Sequence, residues 1–414
     1  MGEKIYGLLG RTLGHSWSAP IHAALGCPDY RLIELREEEL EPFLRREDLG
    51  GVNVTIPYKR AVPALCDTLS PEARAIGAVN TVVRCADGTL RGYNTDDAGF
   101  RYLARRSGIS LSGAKAVILG SGGASAMAQA AARAMGAREV AVISRRGPDT
   151  YDKLSRHADA EVVVNATPVG MYPDTGAAAA DLRAFPRCRG VLELIYNPRR
   201  TALLQQAEEL GIPCSDGLPM LVAQAAAAEE LFFQKSVPDG ETERILAELR
   251  RRMTNLVLVG MPGCGKTAVG RALAALTGRE AVDLDAAVEA RAGRPIPEIF
   301  AREGEAAFRA LEREAAAEAG KQTGRLILTG GGTVTDSRNY APLHQNGRIY
   351  WLRRELSALD RTGRPLSQGS DLAALYAWRA PLYAAFADAS ADNNDTAEAA
   401  AAAIWRDFCE HSGD

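Results

Sequence analysis

Two stretches of this chain run from an aliphatic segment through a cluster of glycines into a helix-forming segment, and they are built differently. The first is "KAVILGSGGASAMAQAAARAMG", starting at Lys115, and the second is "LVLVGMPGCGKTAVG", Leu256 to Gly270. A glycine-rich turn between a strand and a helix aims backbone N–H groups at a phosphate lying at the positive end of the helix dipole. Such turns belong to parallel strands with crossover helices, so each stretch calls for its own α/β layer. Two cradles of different construction predict two chemistries.

The chain has 414 residues, too many for one hydrophobic core and enough for two or three domains. Its 49 basic and 52 acidic residues nearly cancel, which gives no footprint for nucleic acid or an acidic membrane surface. Small molecules are the expected partners. Seven scattered cysteines without a Cys-x-x-Cys pair predict neither a disulfide framework nor a zinc site. Without a secretory segment or an apolar run of ~18 residues, the chain reads as reduced and cytoplasmic.

Apolar runs such as "YRLIEL", "GVNVTIP" and "AVNTVVR" alternate with helix-patterned segments such as "EEELEPFLRR", the rhythm of an α/β protein. Strands continue through "EVAVISRR", "EVVVNATPVGM" and "GVLELIYNP", then give way near Asp216 to an alanine-rich helix, "PMLVAQAAAAEELFFQ". An amphipathic helix closes this part, and a third α/β unit opens with the second glycine loop. The expected division is residues 1–105 completed by helices in 217–252, a dinucleotide-binding unit over 106–216, and a phosphate-loop unit over 253–414. The run "AEAAAAAIW" reads as a terminal helix.

"GMPGCGKT" satisfies G-x-x-x-x-G-K-[ST]: Gly263, Cys264 and Gly265 offer backbone N–H groups, Lys266 reaches the β/γ-phosphates and Thr267 faces magnesium. In "AVDLD", Asp283 and Asp285 are two apart, which predicts one shared face at a strand end. With "FRALE", "LTGGGTV", "LDRTGRPLSQG" and "WRAPLY" following in order, the segment from Asn255 to Asp388 resembles shikimate kinase. The resemblance implies a nucleoside-monophosphate-kinase-like parallel sheet, with Asp283 assisting magnesium and Asp285 contacting the hydroxyl to be phosphorylated. It implies that Arg309, Gly330, Gly331, Gly332 and Arg379 hold the substrate, two guanidinium groups clamping its carboxylate. Within a loop shorter than is usual in that family, Arg364 is expected at the transition state and Arg361 at the nucleotide.

The first loop, "GSGGAS", has Ser125 where a strict dinucleotide fingerprint has its third glycine. At the end of the next strand stand Ser144, Arg145 and Arg146, not an acidic residue. Arginine there suits a 2′-phosphate and favours NADP over NAD; the alternative is a solvated strand end. Together with "GHSWSAP", "GVNVTIPYKR", "GAVNT", "GYNTDDAG", "VNATPVGM", "IYNPRRTALL" and "GLPMLVAQA", this part resembles shikimate dehydrogenase from about Lys4 to Arg252.

That resemblance implies a substrate domain joined to a Rossmann domain. Ser16, Ser18, Thr55, Asn80, Tyr196 and Gln224 would hold substrate, and Lys59 with Asp96 would form the catalytic pair. Gly120, Ser121, Gly122, Gly123, Ala124, Asn165, Thr167 and Gly217 would join the strand-end arginines around NADP(H). An ammonium can stabilise and protonate the oxyanion left by hydride transfer, with a carboxylate positioning it. His15 reads as structural. Departures from the family are Ala19 in place of proline, Glu193 in place of aspartate, and Pro219 in a usually glycine-rich stretch beside the nicotinamide.

Taken together, the resemblances imply NADPH-dependent reduction of 3-dehydroshikimate to shikimate, followed by phosphorylation of the new hydroxyl with ATP and Mg2+. Two alternatives stand beside this reading: a first half acting on quinate, and a ligand sensor without turnover. A sensor would be expected to lose Lys59, Asp96, Lys266, Asp283 or Asp285, and all five are present.

Overall fold

The computed structural model describes residues 4–14, 16–359 and 372–411. His15, Arg361 and Arg364, each assigned a role from sequence, lie outside the described residues. The chain divides into two compact units, one holding most of the residues up to Leu246 and the other made of Tyr172–Gly176, Arg200–Ala202 and the chain from Ala247 onward.

The first unit contains two sheets. Strands β1 (Ile5–Gly10), β2 (Arg31–Glu34), β3 (Leu49–Val54), β4 (Thr68–Leu69), β5 (Thr81–Arg84) and β6 (Leu90–Tyr93) lie in the order β2-β1-β3-β5-β6-β4. β1 pairs in parallel with both β2 and β3, whereas β5 is antiparallel to β3 and β6. Leu9, Leu49, Val52 and Val82 pack its core with the helix-borne Leu40 and Leu44. The predicted helix in "EEELEPFLRR" is a 3₁₀ turn, Glu37–Glu39, running into Leu40–Leu44.

The second sheet is wholly parallel: β7 (Lys115–Leu119), β8 (Glu139–Ile143), β9 (Val162–Asn165), β10 (Gly190–Glu193) and β11 (Cys214–Ser215), in the order β11-β10-β9-β7-β8. β7 and β9 are buried along their whole length, as strands covered on both faces must be. The strand order reverses between β7 and β9, so a crevice opens at their carboxyl ends, where open parallel sheets take ligands. Helix Leu218–Phe233 then packs against helix Thr95–Arg106. A side chain at Gly99 would meet the Met220 carbonyl oxygen at 2.6 Å, and its absence lets the two helices approach.

A buried pair missed in the sequence ties this helix to the amino-terminal segment. His22 Nδ1 lies 2.5 Å from Glu229 Oε1, and the imidazole stacks on Tyr30 with ring centroids 3.8 Å apart.

The second unit has a third parallel sheet: β12 (Asn255–Val259), β13 (Ala281–Asp283), β14 (Leu326–Leu328), β15 (Gly347–Arg353) and β16 (Ala389–Asp392), ordered β13-β14-β12-β15-β16. Helix Lys266–Thr277 follows β12, and the alanine run near the carboxyl terminus is the helix Ala397–His411. Among the described residues no helix is long and apolar enough to cross a membrane, and all seven cysteines are free thiols.

Candidate active sites in the two units

In the first unit β3 ends at Val54, and a 3₁₀ turn, Tyr58–Arg60, presents Lys59. The turn is fixed from both sides: Tyr58 Oη donates to the Leu35 carbonyl at 2.6 Å and the Val79 N–H to the Lys59 carbonyl at 2.8 Å. Asp96 sits in the first turn of helix Thr95–Arg106, where the helix dipole favours a carboxylate. Lys59 Nζ donates to Asp96 Oδ2 at 2.6 Å, and Asn80 Nδ2 donates to Asp96 Oδ1 at 2.9 Å. Asn80 is buried; its amide oxygen accepts from the Thr95 N–H at 2.7 Å, so its orientation is set. The Lys59 side chain remains 31% exposed, the open side of an otherwise fixed triad.

Gln224, on helix Leu218–Phe233, has a buried amide oxygen with no hydrogen-bond partner among the described residues. Leaving such an acceptor unpaired is costly, and a ligand hydroxyl would relieve it. Ser16 and Ser18 are half-buried, with the Ser18 N–H donating to Ser16 Oγ at 3.2 Å. Thr55 continues β3 beside Gly10, and burial pushes the Tyr196 phenol above its ordinary pKa.

At the crevice, Gly120 has φ +106°, a conformation that favours glycine, and a side chain there would also approach the Ala166 carbonyl at 3.0 Å. Open space surrounds Gly122 and Gly123, as a phosphate cradle requires. Ser125, in place of the third glycine, is fully buried and donates from Oγ to the Gly120 carbonyl at 2.7 Å, which ties the turn to its helix. Ser144 is buried and its hydroxyl donates to the Arg146 carbonyl, whereas Arg145 and Arg146 are exposed and unpaired with any carboxylate among the described residues.

The second unit holds a cavity of about 1020 Å³ that gathers the phosphate loop, Asp283, Asp285, Arg309, the glycine triplet and Arg379. Lys266 Nζ donates to the carbonyls of Gly260 at 2.8 Å and Met261 at 3.2 Å, so the loop itself holds its ammonium. Cys264 is buried, and its carbonyl accepts from Asn393 Nδ2 at 2.8 Å.

The two aspartates share this cavity, but the shared strand face predicted for them is wrong. β13 stops at Asp283, whose Oδ1 accepts from the N–H groups of Asp285 at 2.9 Å and Ala286 at 3.3 Å, capping helix Leu284–Ala292. Asp285 therefore stands in the first turn of a helix, and the cap brings the pair together. Though open to the cavity, Asp285 is hemmed in by protein; this desolvation, then the Asp283 charge, pushes its carboxyl up to about 6 against the pull of Lys266.

Each glycine of the triplet leaves room for a different neighbour. A methyl at Gly330 would meet Asp285 Oδ1 at 2.8 Å, at Gly331 the Pro262 ring at 2.6 Å, and at Gly332 Arg309 Nη2 at 2.6 Å. The Gly331 carbonyl accepts from Arg379 Nη1 at 3.2 Å and from Tyr383 Oη at 2.5 Å.

Against known families, residues 8–82 match the shikimate dehydrogenase substrate binding domain and residues 262–409 match shikimate kinase. A shikimate dehydrogenase (NADP(+)) of Clostridium perfringens is 33% identical over 270 residues, covering 60% of this chain and 99% of the relative. The chain belongs to the shikimate dehydrogenase family.

Among solved structures, the shikimate 5-dehydrogenase of Thermus thermophilus in complex with NADP(H) and shikimate is 34% identical with a TM-score of 0.54, covering 59% of this chain and 99% of that one. The quinate dehydrogenase of Corynebacterium glutamicum in complex with NAD is 28% identical, also with a TM-score of 0.54, covering 59% and 99%. The chain thus spans a whole shikimate dehydrogenase and continues into a shikimate kinase domain.

Two departures from the dehydrogenase family have local explanations. Glu193 is fully buried, accepting from Asn165 Nδ2 at 2.9 Å and from the Ile195 N–H at 3.1 Å, while the Asn165 amide oxygen holds Thr167 through its N–H and hydroxyl. Pro219 lies in the first turn of its helix, where a missing N–H costs nothing. Gly217, just before it, cannot carry a side chain, since a methyl would lie 2.4 Å from the Leu194 carbonyl oxygen.

In the kinase domain, Glu312 was not anticipated. It is buried, accepts from Arg309 Nη1 at 2.7 Å through Oε2 and from Thr333 Oγ1 at 2.6 Å through Oε1, and so orients Arg309. The signal available was its i+3 spacing from Arg309 on a helix.

Proposed function

We propose that this chain is a bifunctional enzyme that reduces 3-dehydroshikimate to shikimate with NADPH and then transfers the γ-phosphoryl group of ATP to the hydroxyl just made. The observation that carries this is a polar constellation in each unit suited to its step: the Lys59–Asp96–Asn80 triad in one, and the cavity joining Lys266, Asp285, Arg309 and Arg379 in the other.

The open space at Gly122 and Gly123 and the exposed Arg145 and Arg146, with no carboxylate partner among the described residues, fit a dinucleotide bearing a 2′-phosphate. When bound, NADPH supplies the hydride for the 3-keto carbon. Lys59 donates a hydrogen bond and then its proton to the oxygen that becomes the hydroxyl, held in place by Asp96, and solvent restores the proton. Asn80 and Gln224 orient the substrate with Ser16, Ser18, Thr55 and Tyr196.

In the kinase half, Thr267 and Asp283 suit magnesium, which needs only one or two carboxylates when phosphates and water complete its shell. Asp285 accepts the proton of the attacking hydroxyl, Arg309 and Arg379 hold the substrate carboxylate, and Lys266 neutralises the phosphates. Arg364 and Arg361 retain their proposed roles at the transition state and the nucleotide.

The corresponding domains are 1–105 with 217–252, 106–216 and 253–414, in a cytoplasmic protein. Exposed arginines after β8 favour NADPH over NADH as the reductant.

The test supplies the purified chain with 3-dehydroshikimate, NADPH, ATP and Mg2+ and identifies products by mass. Shikimate 3-phosphate is expected. Lys59→Ala should cost at least ~100-fold in reduction and leave phosphorylation of added shikimate intact. Failure of the wild type on either substrate, or equal loss of both activities in the folded variant, overturns the proposal.

A further inference from the structure

We infer that Arg354 is a nucleotide-binding residue of the kinase half, its guanidinium gripping the α- and β-phosphates of ATP and ADP beside the phosphate loop; this rests on the kinase reading above. The position follows β15, which lies next to the loop-bearing strand β12. Successive side chains of an extended segment face opposite ways. Arg353 turns outward and meets Asp392 through two hydrogen bonds of 3.0 Å, and Arg354 turns inward and lines the cavity. A methyl placed on Gly265 would lie 2.4 Å from Asn393 Nδ2 and 3.5 Å from Arg354 Nη1, so the guanidinium lies near the backbone immediately before Lys266. The loop is fixed at this point, because Asn393 holds the Cys264 carbonyl at 2.8 Å.

Among the described residues, Arg354 lacks the carboxylate partner that Arg309, across the same cavity, and Arg353, next to it in the chain, both have. Arg309, Arg313, Arg348 and Arg353 each contact a carboxylate, whereas Arg354 has none among the described residues, and its Nε is buried without a hydrogen-bond partner. A desolvated, unpartnered donor on a cation calls for an anion, and planar guanidinium groups suit phosphate oxygens. Backbone N–H groups ahead of the loop lysine cradle the α- and β-phosphates, while the lysine itself reaches the β- and γ-phosphates. A cation against Gly265 therefore faces the part that ATP and ADP share. Both nucleotides should weaken together when it is removed, with little change in kcat.

The test measures ADP binding to the full-length chain by titration calorimetry, and the KM values for ATP and shikimate with kcat, in wild type, Arg354→Met and Arg354→Lys. Arg354→Met should weaken ADP and raise KM for ATP by about tenfold or more, leaving kcat, KM for shikimate and NADPH-dependent reduction within about twofold. Arg354→Lys should recover part of the loss. ADP affinity within twofold of wild type in Arg354→Met overturns the inference, as does a fall in kcat with ADP binding unchanged or an equal loss of shikimate affinity. A wild-type chain that does not bind ADP overturns instead the kinase reading beneath it.

Discussion

Arg145 and Arg146 stand exposed after β8, with no carboxylate among the described residues to occupy them. Their charge is available to a 2′-phosphate, which NADPH carries and NADH lacks. Replacing both with alanine should raise KM for NADPH at least about tenfold and change KM for NADH by less than about threefold, read from initial rates with each cofactor. Equal effects would place the phosphate contact elsewhere. Residues of this kind were legible in the sequence, because a strand end after a glycine turn has a fixed relation to the turn. Glu312 and Arg354 were not: one reads as a solvated helix charge and the other as the second of two surface arginines until their neighbours are known.

Two elements depend on single side chains or on the absence of one. Helix Leu218–Phe233 starts at Gly217, whose backbone lies so close to Leu194 that Gly217→Ala must displace either the helix start or the residues after β10. Overpacking of this kind costs about 1–3 kcal/mol. The expected outcome is a lower melting temperature for the first unit and a loss of dehydrogenase activity, with kinase activity retained.

In the second unit, Asp388 links helix Tyr340–His344 to β15, with Oδ1 3.2 Å from His344 Nε2 and Oδ2 accepting from the Ile349 N–H at 2.6 Å. Burial alone would raise its pKa; the His344 contacts and the Ile349 N–H outweigh this and hold it below the ordinary value. A carboxyl depressed in the folded state contributes stability that is complete above its unfolded pKa of about 3.9 and is lost as pH falls through the folded value. Asp388→Asn should thus cost about 1 kcal/mol at pH 7, and the gap from wild type should narrow as denaturation curves are taken into acid. A gap that widened in acid would contradict this.

The whole chain carries two compact units with separate cores and separate sites. A ligand that binds one folded unit stabilises only that unit, by about 2.7 kcal/mol at 100 times its dissociation constant. For units of this size that is a shift of about 5 °C or more. Calorimetry of the full chain should show NADPH with shikimate raising one transition and MgADP raising the other. A single transition moved equally by either addition would show that the units melt as one.

By itself the sequence determined the two glycine cradles, the alternation of strands and helices around them, and the residues of Lys59–Asp96 and Asp283–Asp285 as candidates. These are local signals, since a turn, a cap or a strand period is fixed by a few neighbouring residues. Only the tertiary structure decided which distant groups meet. Lys59 and Asp96 come from a turn after β3 and a helix after β6, and their 2.6 Å contact depends on the strand order between them. The aspartates near residue 284 share a site through a helix cap, where the spacing had suggested a strand face. The buried pair His22–Glu229, the close approach at Gly99 and the placing of Arg354 at the phosphate loop, without a carboxylate partner among the described residues, likewise arise from chain crossings. Burial and partnership belong to the packed chain, because desolvation acts on a group only once its neighbours have arrived.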